Sequence, residues 1–449
     1  MADKTAPEEV PLWQTVPPVE LAVVIGSREQ QQALQILARQ APGYTVAGGQ
    51  VAHAISARSN FILMDFTQQH VAMRYQIDGQ WEPLPLLPRD AGDAMLYSLK
   101  QISGLNPADR RSAQKGSCTT KVKKAKYIIT VQSQGTNTGE RVLVRIEPEK
   151  TPFENLTDLG MRDRMKAHLK AALDDNGHLL VISAPQGMGL TTTWQVSMEA
   201  ADRLTRDFQS IEHQERKEPE IINIANNYYG GSTGKSAEEL VRSMVLKEPD
   251  LFVLPEIPNE ATFQLILEQV QLHEKHAYTR LVAGDAIEAL VRLLAKYPKC
   301  AKAILQTVSV VVNQRLTRRL CDHCRQAFQP SPQLLQQLGI PQGRVAVLYN
   351  PFVPPPIEQQ VDEKGNPAPI TPCPVCHGRS FMGRIGVFEL LQVGPKLRDA
   401  LAKTRDLNKL RQVARSEGHR SLQSEAILTV ARGLTSLDEV KRAFASSGK

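Results

Sequence analysis

The chain has 449 residues, 41% hydrophobic and 22% charged, which is the balance of an ordinary globular protein with room for two or three cored domains. With 54 basic against 47 acidic side chains the net charge is +7, a mild excess that suits an anionic membrane surface or nucleic acid and demands neither. No run of about 18 apolar residues could span a bilayer, and the opening MADKTAPEEVPLWQ lacks a secretory signal's apolar region, so the sequence predicts a cytoplasmic, reduced protein whose six cysteines are ligands or core thiols before they are disulfides.

In chain order, residues 1–44 read as a flexible tail, Pro- and Glu-rich over 1–20. Residues 45–155 read as a small α+β domain. Phe61–Phe66 and Val71–Tyr75 are expected as neighbouring strands, Asp78-Gly79 as a turn, and Tyr127–Val131 and Arg141–Ile146 as further strands of period two. The basic run Lys121–Lys126 reads as a solvated face. After Pro152 the texture changes: Met161–Leu173 is amphipathic and helical. His178–Ser183 then forms a continuous apolar run between Gly177 and Pro185, as in a strand buried on both faces of a parallel sheet. Leu251–Leu254 and Thr279–Ala283 are runs of the same kind with helical stretches between, so 156–320 reads as an α/β domain. Residues 325–372, rich in Pro and Gly, read as a surface excursion, and 386–449 as mostly helical.

Two C-x-x-C pairs, Cys321/Cys324 and Cys373/Cys376, flank that excursion. Two-residue spacing lets one tight turn aim both sulfurs at one ion, and two such turns complete a tetrahedron. Four sulfurs close the site, so the expected metal is a structural zinc in region 321–385, with His323 and His377 beside it rather than on it. Cys118 and Cys300 lack partners at ligand spacing.

The apolar strand runs into Ala184-Pro185-Gln186-Gly187-Met188-Gly189-Leu190-Thr191-Thr192-Thr193. A phosphate loop needs G-x-x-x-x-G-K-[ST], in which backbone amides wrap the phosphates and a helix N-terminus adds its dipole. The strand–loop–helix context, both later glycines and the threonines are present, making Pro185–Thr192 the candidate nucleotide-binding segment. The first glycine is replaced by Ala184 and the lysine by Leu190. Losing that cation removes positive charge from the β- and γ-phosphates, where catalysis is largely electrostatic; ATP with Mg2+ would be held weakly. The later run Gly230-Gly-Ser-Thr-Gly234-Lys235-Ser236 ends in GKS, but Tyr229 stands where the first glycine belongs and no buried apolar strand precedes it.

These residues resemble the type II secretion and type IV pilus assembly ATPase family, over nearly the whole chain after residue 45. Asn313–Cys324 is similar to its QRL-x-R-x-LC-x-x-C segment, and Cys376–Leu391 to its C-x-x-C…GR-x-G-(I/V)-FE segment. Gly418 before Ser421-Leu422, and Gly433–Val440, match its tail. Arg74–Gly79 and Gly139–Val142 resemble its RYRIDG and GERVV elements. The resemblance implies a RecA-like P-loop domain, preceded by a small PAS-like α+β domain and followed by a zinc-bearing, mostly helical C-terminal subdomain. It also implies a hexameric, ATP-hydrolysing motor docked on an inner-membrane platform protein.

Carried over by position, Leu246–Ile257 looks like the family's Walker B region. Glu256 there matches the catalytic glutamate, and Pro255 replaces the usual glycine. The acidic box is reduced to Glu212-His213-Gln214-Glu215. His276 matches the first residue of the histidine box, whereas the second falls at Ala283. Thr130 stands where the small domain carries an arginine, and Ala57–Phe61 replaces the family's ASDIH. Elements that build the fold and bind zinc persist while those that touch nucleotide have changed. The sequence therefore reads as a family member with weak or lost hydrolysis, a subunit or regulator in a homo-hexamer or in a mixed hexamer with an intact paralogue. The competing readings are an active hexameric ATPase and a zinc-ribbon nucleic-acid binder. The last is disfavoured because few aromatics interleave with basic residues.

Overall fold

Period-two alternation in the first third of the chain becomes an antiparallel sheet. The structure is a computed structural model that describes residues 11–360, 368 and 370–445. It divides into two units, Met1–Pro152 and Phe153–Lys449.

The first unit runs β1 (Leu21–Val23), α1 (Arg28–Gln40), α2 (Tyr44–Ser56), β2 (Ser59–Phe66), β3 (His70–Ile77), β4 (Gln80–Pro83), β5 (Leu87–Pro88), α3 (Arg89–Ile102), β6 (Gln114–Val122), β7 (Ala125–Thr136) and β8 (Gly139–Pro148). The strand order is β1-β6-β7-β8-β2-β3-β4, with β5 also on β3, and every pairing is antiparallel. Val71, Met73, Tyr75 and Ile77 of β3 all turn to one buried face, which α1, α2 and α3 cover. Asp78 (φ +50°) and Gly79 (φ +83°) both take left-handed conformations, the signature of a two-residue hairpin turn.

The tail expected over 1–44 needs correction from residue 11 on, 1–10 lying outside the described residues. Leu21–Val23 pairs with Cys118–Thr120, and Gln35 pins that strand by accepting from the Val23 N–H (3.0 Å) and donating to the Leu21 carbonyl (2.8 Å). Ser27 and Gln30 form a capping box that starts α1. The glutamine-rich sequence of that helix hid its apolar stripe, and Trp13 also packs on this core.

The second unit carries α4 (Asp163–Asp174), β9 (Leu179–Ala184), α5 (Leu190–Ala200), β10 (Phe208–His213), β11 (Ile224–Tyr229), α6 (Ala237–Val245), β12 (Leu251–Leu254), α7 (Glu260–Leu272), β13 (His276–Val282), α8 (Ala286–Lys296), α9 (Ala301–Thr307) and β14 (Val308–Leu320). Beyond these lie β15 (Gln326–Phe328), α10 (Pro332–Gln337), β16 (Leu348–Asn350), β17 (Phe381–Gln392) and the helices α11 (Pro395–Lys403), α12 (Leu407–Ser416), α13 (Leu422–Ala431) and α14 (Leu437–Phe444). The sheet order is β11-β10-β12-β13-β9-β14-β17, parallel throughout except for β17. All six residues of β9 and all four of β12 are buried, because helices cover both faces: α4 and α5 on one, α6 to α9 on the other.

The boundary drawn at residue 385 also needs correction. It cuts β17, which completes the α/β sheet by pairing Phe381–Gln392 against β14. The glycine-containing Met382–Gly386 stretch disguised this strand. Only after Gln392 does the chain become all-helical, with α11 and α12 joining the core on the α6–α9 face.

Within the first unit, Lys100 and Glu140 form an ion pair exposed to only 1% and 3%. Removing one partner of such a pair strands a buried charge. Lys100→Met is expected to lower stability in urea denaturation by about 3–5 kcal/mol. Lys100→Met combined with Glu140→Leu should recover most of that loss.

Candidate functional site

In a parallel sheet the loops after the C-terminal strand ends form the natural crevice for ligands. Strand β9 ends there at Ala184, and Pro185–Gly189 leads directly into α5. Gly187 (φ +73°) and Gly189 (φ +81°) take the left-handed backbone that glycine allows. At Gly189 a Cβ would also come within 2.9 Å of Gln314 Nε2, so this position admits no side chain without displacement. Among the described residues no side chain caps α5, leaving its first amides open to an anion.

The loop is held from below. Gln314 of β14, 1% exposed, donates from Nε2 to the Met188 carbonyl (2.7 Å), and Thr193 Oγ1 donates to Gln314 Oε1. Asn313 donates to Ser183 Oγ (2.8 Å) and to the Ala283 carbonyl (3.2 Å), tying the ends of β9 and β13 together. Leu190, the first helical residue, turns onto the apolar core between α4, α5 and the sheet. Gln186, Gly187 and Thr191 are exposed, and Thr192 is half-buried.

The other sequence candidates are only partly brought to this loop. Ala283 is, through its N–H to the Ala184 carbonyl (3.1 Å). His276 is not: it begins β13, paired with Leu251 at the opposite end of the sheet. It is fully buried, both ring nitrogens lack partners, and burial pulls its pKa down to about 3, so it is a neutral core imidazole. Glu256 lies just after β12 and pairs with Arg216 (3.0 Å), both half-exposed. Its charge raises the pKa of Tyr229 and Tyr297, after their own burial, and these rings pack on the α6–α9 side of the sheet, away from α5. Lys235 of the GKS run is exposed, and Ser236 is spent as the N-cap of α6.

Arg280 was missed, because no motif marks it. It sits on β13, between the loop strand β9 and the apolar strand β12. Its guanidinium lies 5.3 Å over the Trp194 ring and donates to the Pro255 carbonyl (3.1 Å) and to both oxygens of Glu218 (2.5 and 3.1 Å). The Glu218 N–H in turn donates to the buried Glu212 carboxylate (2.9 Å). A cation is therefore present on the α5 side of the sheet, but it is committed to a carboxylate.

Across the excursion the four cysteines meet. All four sulfurs lie within 4.8 Å of one another, with Cys321–Cys373 at 3.9 Å and Cys324–Cys376 at 3.6 Å. A tetrahedron with Zn–S bonds of about 2.3 Å requires sulfurs about 3.8 Å apart. Backbone donation from Cys376 brings the Cys373 thiol down to about 6, whereas burial raises Cys324 and Cys376. Thiolates this close repel unless a cation sits among them. His323 Nδ1 stands 3.4 Å from Cys373 Sγ, beside the quartet rather than in it.

Residues 39–442 match the family model described as "Type II/IV secretion system protein". The chain is 26% identical over 377 residues to the type IV pilus assembly ATPase PilB of Thermus thermophilus, covering 83% of this chain but 40% of that protein. It is 24% identical to PilB of Pseudomonas aeruginosa, covering 93% and 70%. Among solved structures, the ATPase DotB of Legionella pneumophila superposes with a TM-score of 0.54 at 13% identity, covering 88% of this chain and 94% of that one. That likeness is one of fold.

The Gln314 bridge predicts a measurable consequence. Gln314→Ala removes the donor to Met188 and strands Thr193, at a cost of about 1–2 kcal/mol. Hydrogen exchange should speed up at the amides of residues 186–190, while those of β9 keep most of their protection.

Proposed function

Since this chain belongs to the type II/IV secretion system protein family, we propose that it is a motor-fold subunit with weak or lost ATP hydrolysis, acting as a structural or regulatory member of a secretion or pilus assembly machine. The observation that carries the reading is Leu190. The position that should deliver an ammonium to the phosphates delivers instead a half-buried isobutyl group packed against the core. The amides of Gln186, Gly187 and Gly189–Thr191 suit a phosphate, that of Met188 being given to the Pro185 carbonyl (3.1 Å), and the Thr191 hydroxyl is available to an accompanying Mg2+, so weak nucleotide binding is compatible with the loop. ATP would bring its own phosphoryl chemistry. The residues present supply backbone donors without the cation, and Arg280 is engaged by Glu218. Glu256, paired with Arg216, serves poorly as a general base for water at the loop.

The four cysteines fit a structural zinc that fastens the strand end at Leu320 to the returning chain before β17. No helix among the described residues is long and apolar enough to cross a membrane. The proposed setting is cytoplasmic, peripheral at the inner membrane, in a homo-hexamer or in a mixed hexamer with an intact paralogue, against an inner-membrane platform protein. The basic run at the β6–β7 hairpin does not favour nucleic acid, since Lys126 is paired with Glu149 and the adjoining Tyr127 packs on the core of its own unit instead of offering a stacking face.

ATP turnover is expected well below about 1 per second, the lower end of ordinary enzyme rates. Leu190→Lys should raise it, by up to roughly 10²–10³-fold if the remaining contacts are in place. Wild-type protein turning over at ordinary motor rates would overturn the reading in favour of an active ATPase.

Elemental analysis of freshly purified protein should find about one zinc per chain. Cys373→Ser should lose the metal while the urea transition of the remaining α/β core persists; absence of zinc from the unmutated protein would end the metal assignment.

A further inference from the structure

A cavity of about 340 Å³ opens between the start of α8, strands β14 and β17, and helices α12 to α14. That volume falls in the range of small-ligand sites. It lies on the other side of β14 from the phosphate loop: Gln314 holds the loop, and the next residue, Arg315, lines the cavity.

Its two carboxylates are already satisfied. Asp285 Oδ2 accepts from Arg411 Nε (3.0 Å) and Nη2 (2.5 Å), and Oδ1 caps the Glu288 N–H (2.8 Å). Glu389, 2% exposed, accepts from the Ala286 N–H (2.6 Å) and the Leu422 N–H (2.8 Å), the first amides of α8 and α13. Its Oε2 also faces His419 Nε2 at 3.3 Å.

The donors are not satisfied. Arg315 gives Nη1 to the Ala443 carbonyl (2.9 Å) and lies 5.0 Å over the Phe444 ring, but its Nε is buried without a partner. The His419 side chain is 7% exposed and its Nδ1 is likewise buried and unpartnered; with Nε2–H turned to Glu389, Nδ1 donates in the imidazolium form. Arg415, one turn along α12 from Arg411, makes no side-chain hydrogen bond or ion pair among the described residues and lines the same cavity. Burial also depresses the Arg315 pKa, which an anion alongside would reverse. Open donors around filled acceptors select a ligand that only accepts, and guanidinium groups suit phosphoryl oxygens.

We propose that this cavity binds a small phosphate-bearing anion, held by Arg315, Arg415 and His419. A ligand that fixes Arg315 also bears on the strand that positions Gln314 under the phosphate loop.

Isothermal titration of the full chain with inorganic pyrophosphate and, separately, with ribose 5-phosphate tests this. At least one probe should bind saturably, and the tighter of the two distinguishes an inorganic from an organic source. Arg415→Ala should weaken that binding tenfold or more. Arg420→Ala, outside the cavity, and Leu190→Glu, which puts a negative charge at the phosphate loop, should leave it within about twofold. Saturable binding by neither probe, binding unchanged by Arg415→Ala, equal weakening by Arg420→Ala, or loss on Leu190→Glu would each overturn the proposal.

Discussion

Strand β14 must satisfy two different neighbours along its 13 residues, and the second unit is arranged around that demand. Val308–Asn313 pairs in parallel with β9, and Val310–Leu320 pairs antiparallel with β17. Its side chains then do separate jobs: the buried Asn313 ties two strand ends, the buried Gln314 grips the loop, and the half-buried Arg318 forms a two-pronged pair with the buried Glu439 of α14. Cys321 follows directly, its N–H donating to the Ser380 carbonyl (3.0 Å). A register slip in β14 would move all of these at once, because shifting a strand by one residue exchanges its faces.

Charge at the C-terminal edge of the sheet is balanced locally rather than left open. Glu212, Glu218 and Arg280 form one chain of contacts beside Trp194, and Glu256 and Arg216 form another. A nucleotide that recruited Arg280 would have to take it from Glu218, leaving a carboxylate behind. Exposing that half-buried carboxylate to competition costs part of any binding gain. A lysine at the start of α5 would escape this cost, since it would reach the phosphates from the loop itself. On the proposed reading, Arg280 therefore does not stand in for the lysine that the family resemblance leads one to expect at Leu190.

What the sequence made legible follows from how local each signal is. The buried runs at 179–184 and 251–254 and the Asp78-Gly79 turn are encoded within a few residues each, and they appear where expected. The cysteine spacing was readable for the same reason: each pair is a single turn, and only the meeting of the two pairs needs the fold. Helix α1 was illegible because its glutamines supply capping and strand-pinning bonds that composition reads as disorder. Arg280 and Gln314 were illegible as site residues because their roles are set by strand order, β13 and β14 flanking β9, which no residue spacing records. His276 shows the reverse case: the family resemblance marks it, but it opens β13 at the end of the sheet away from the phosphate loop.

The quartet and the phosphate loop sit at opposite ends of one argument about what a fold retains. The sulfur geometry depends on the β14–β17 pairing and the turn that closes each C-x-x-C, neither of which needs nucleotide. The loop's shape likewise depends on Gly187, Gly189 and the Gln314 bridge, all of them intact. By the family resemblance, Leu190 stands where a cation is expected and Ala283 where a histidine is, beside the departures at Ala184, Pro255 and the acidic box, and both residues are accommodated by packing. Leu190 even adds to the core it packs against. On the proposed reading these substitutions leave the strand order and the sulfur cluster in place, because neither depends on the side chains that would meet a phosphate, and a motor fold persists where its chemistry is weakened.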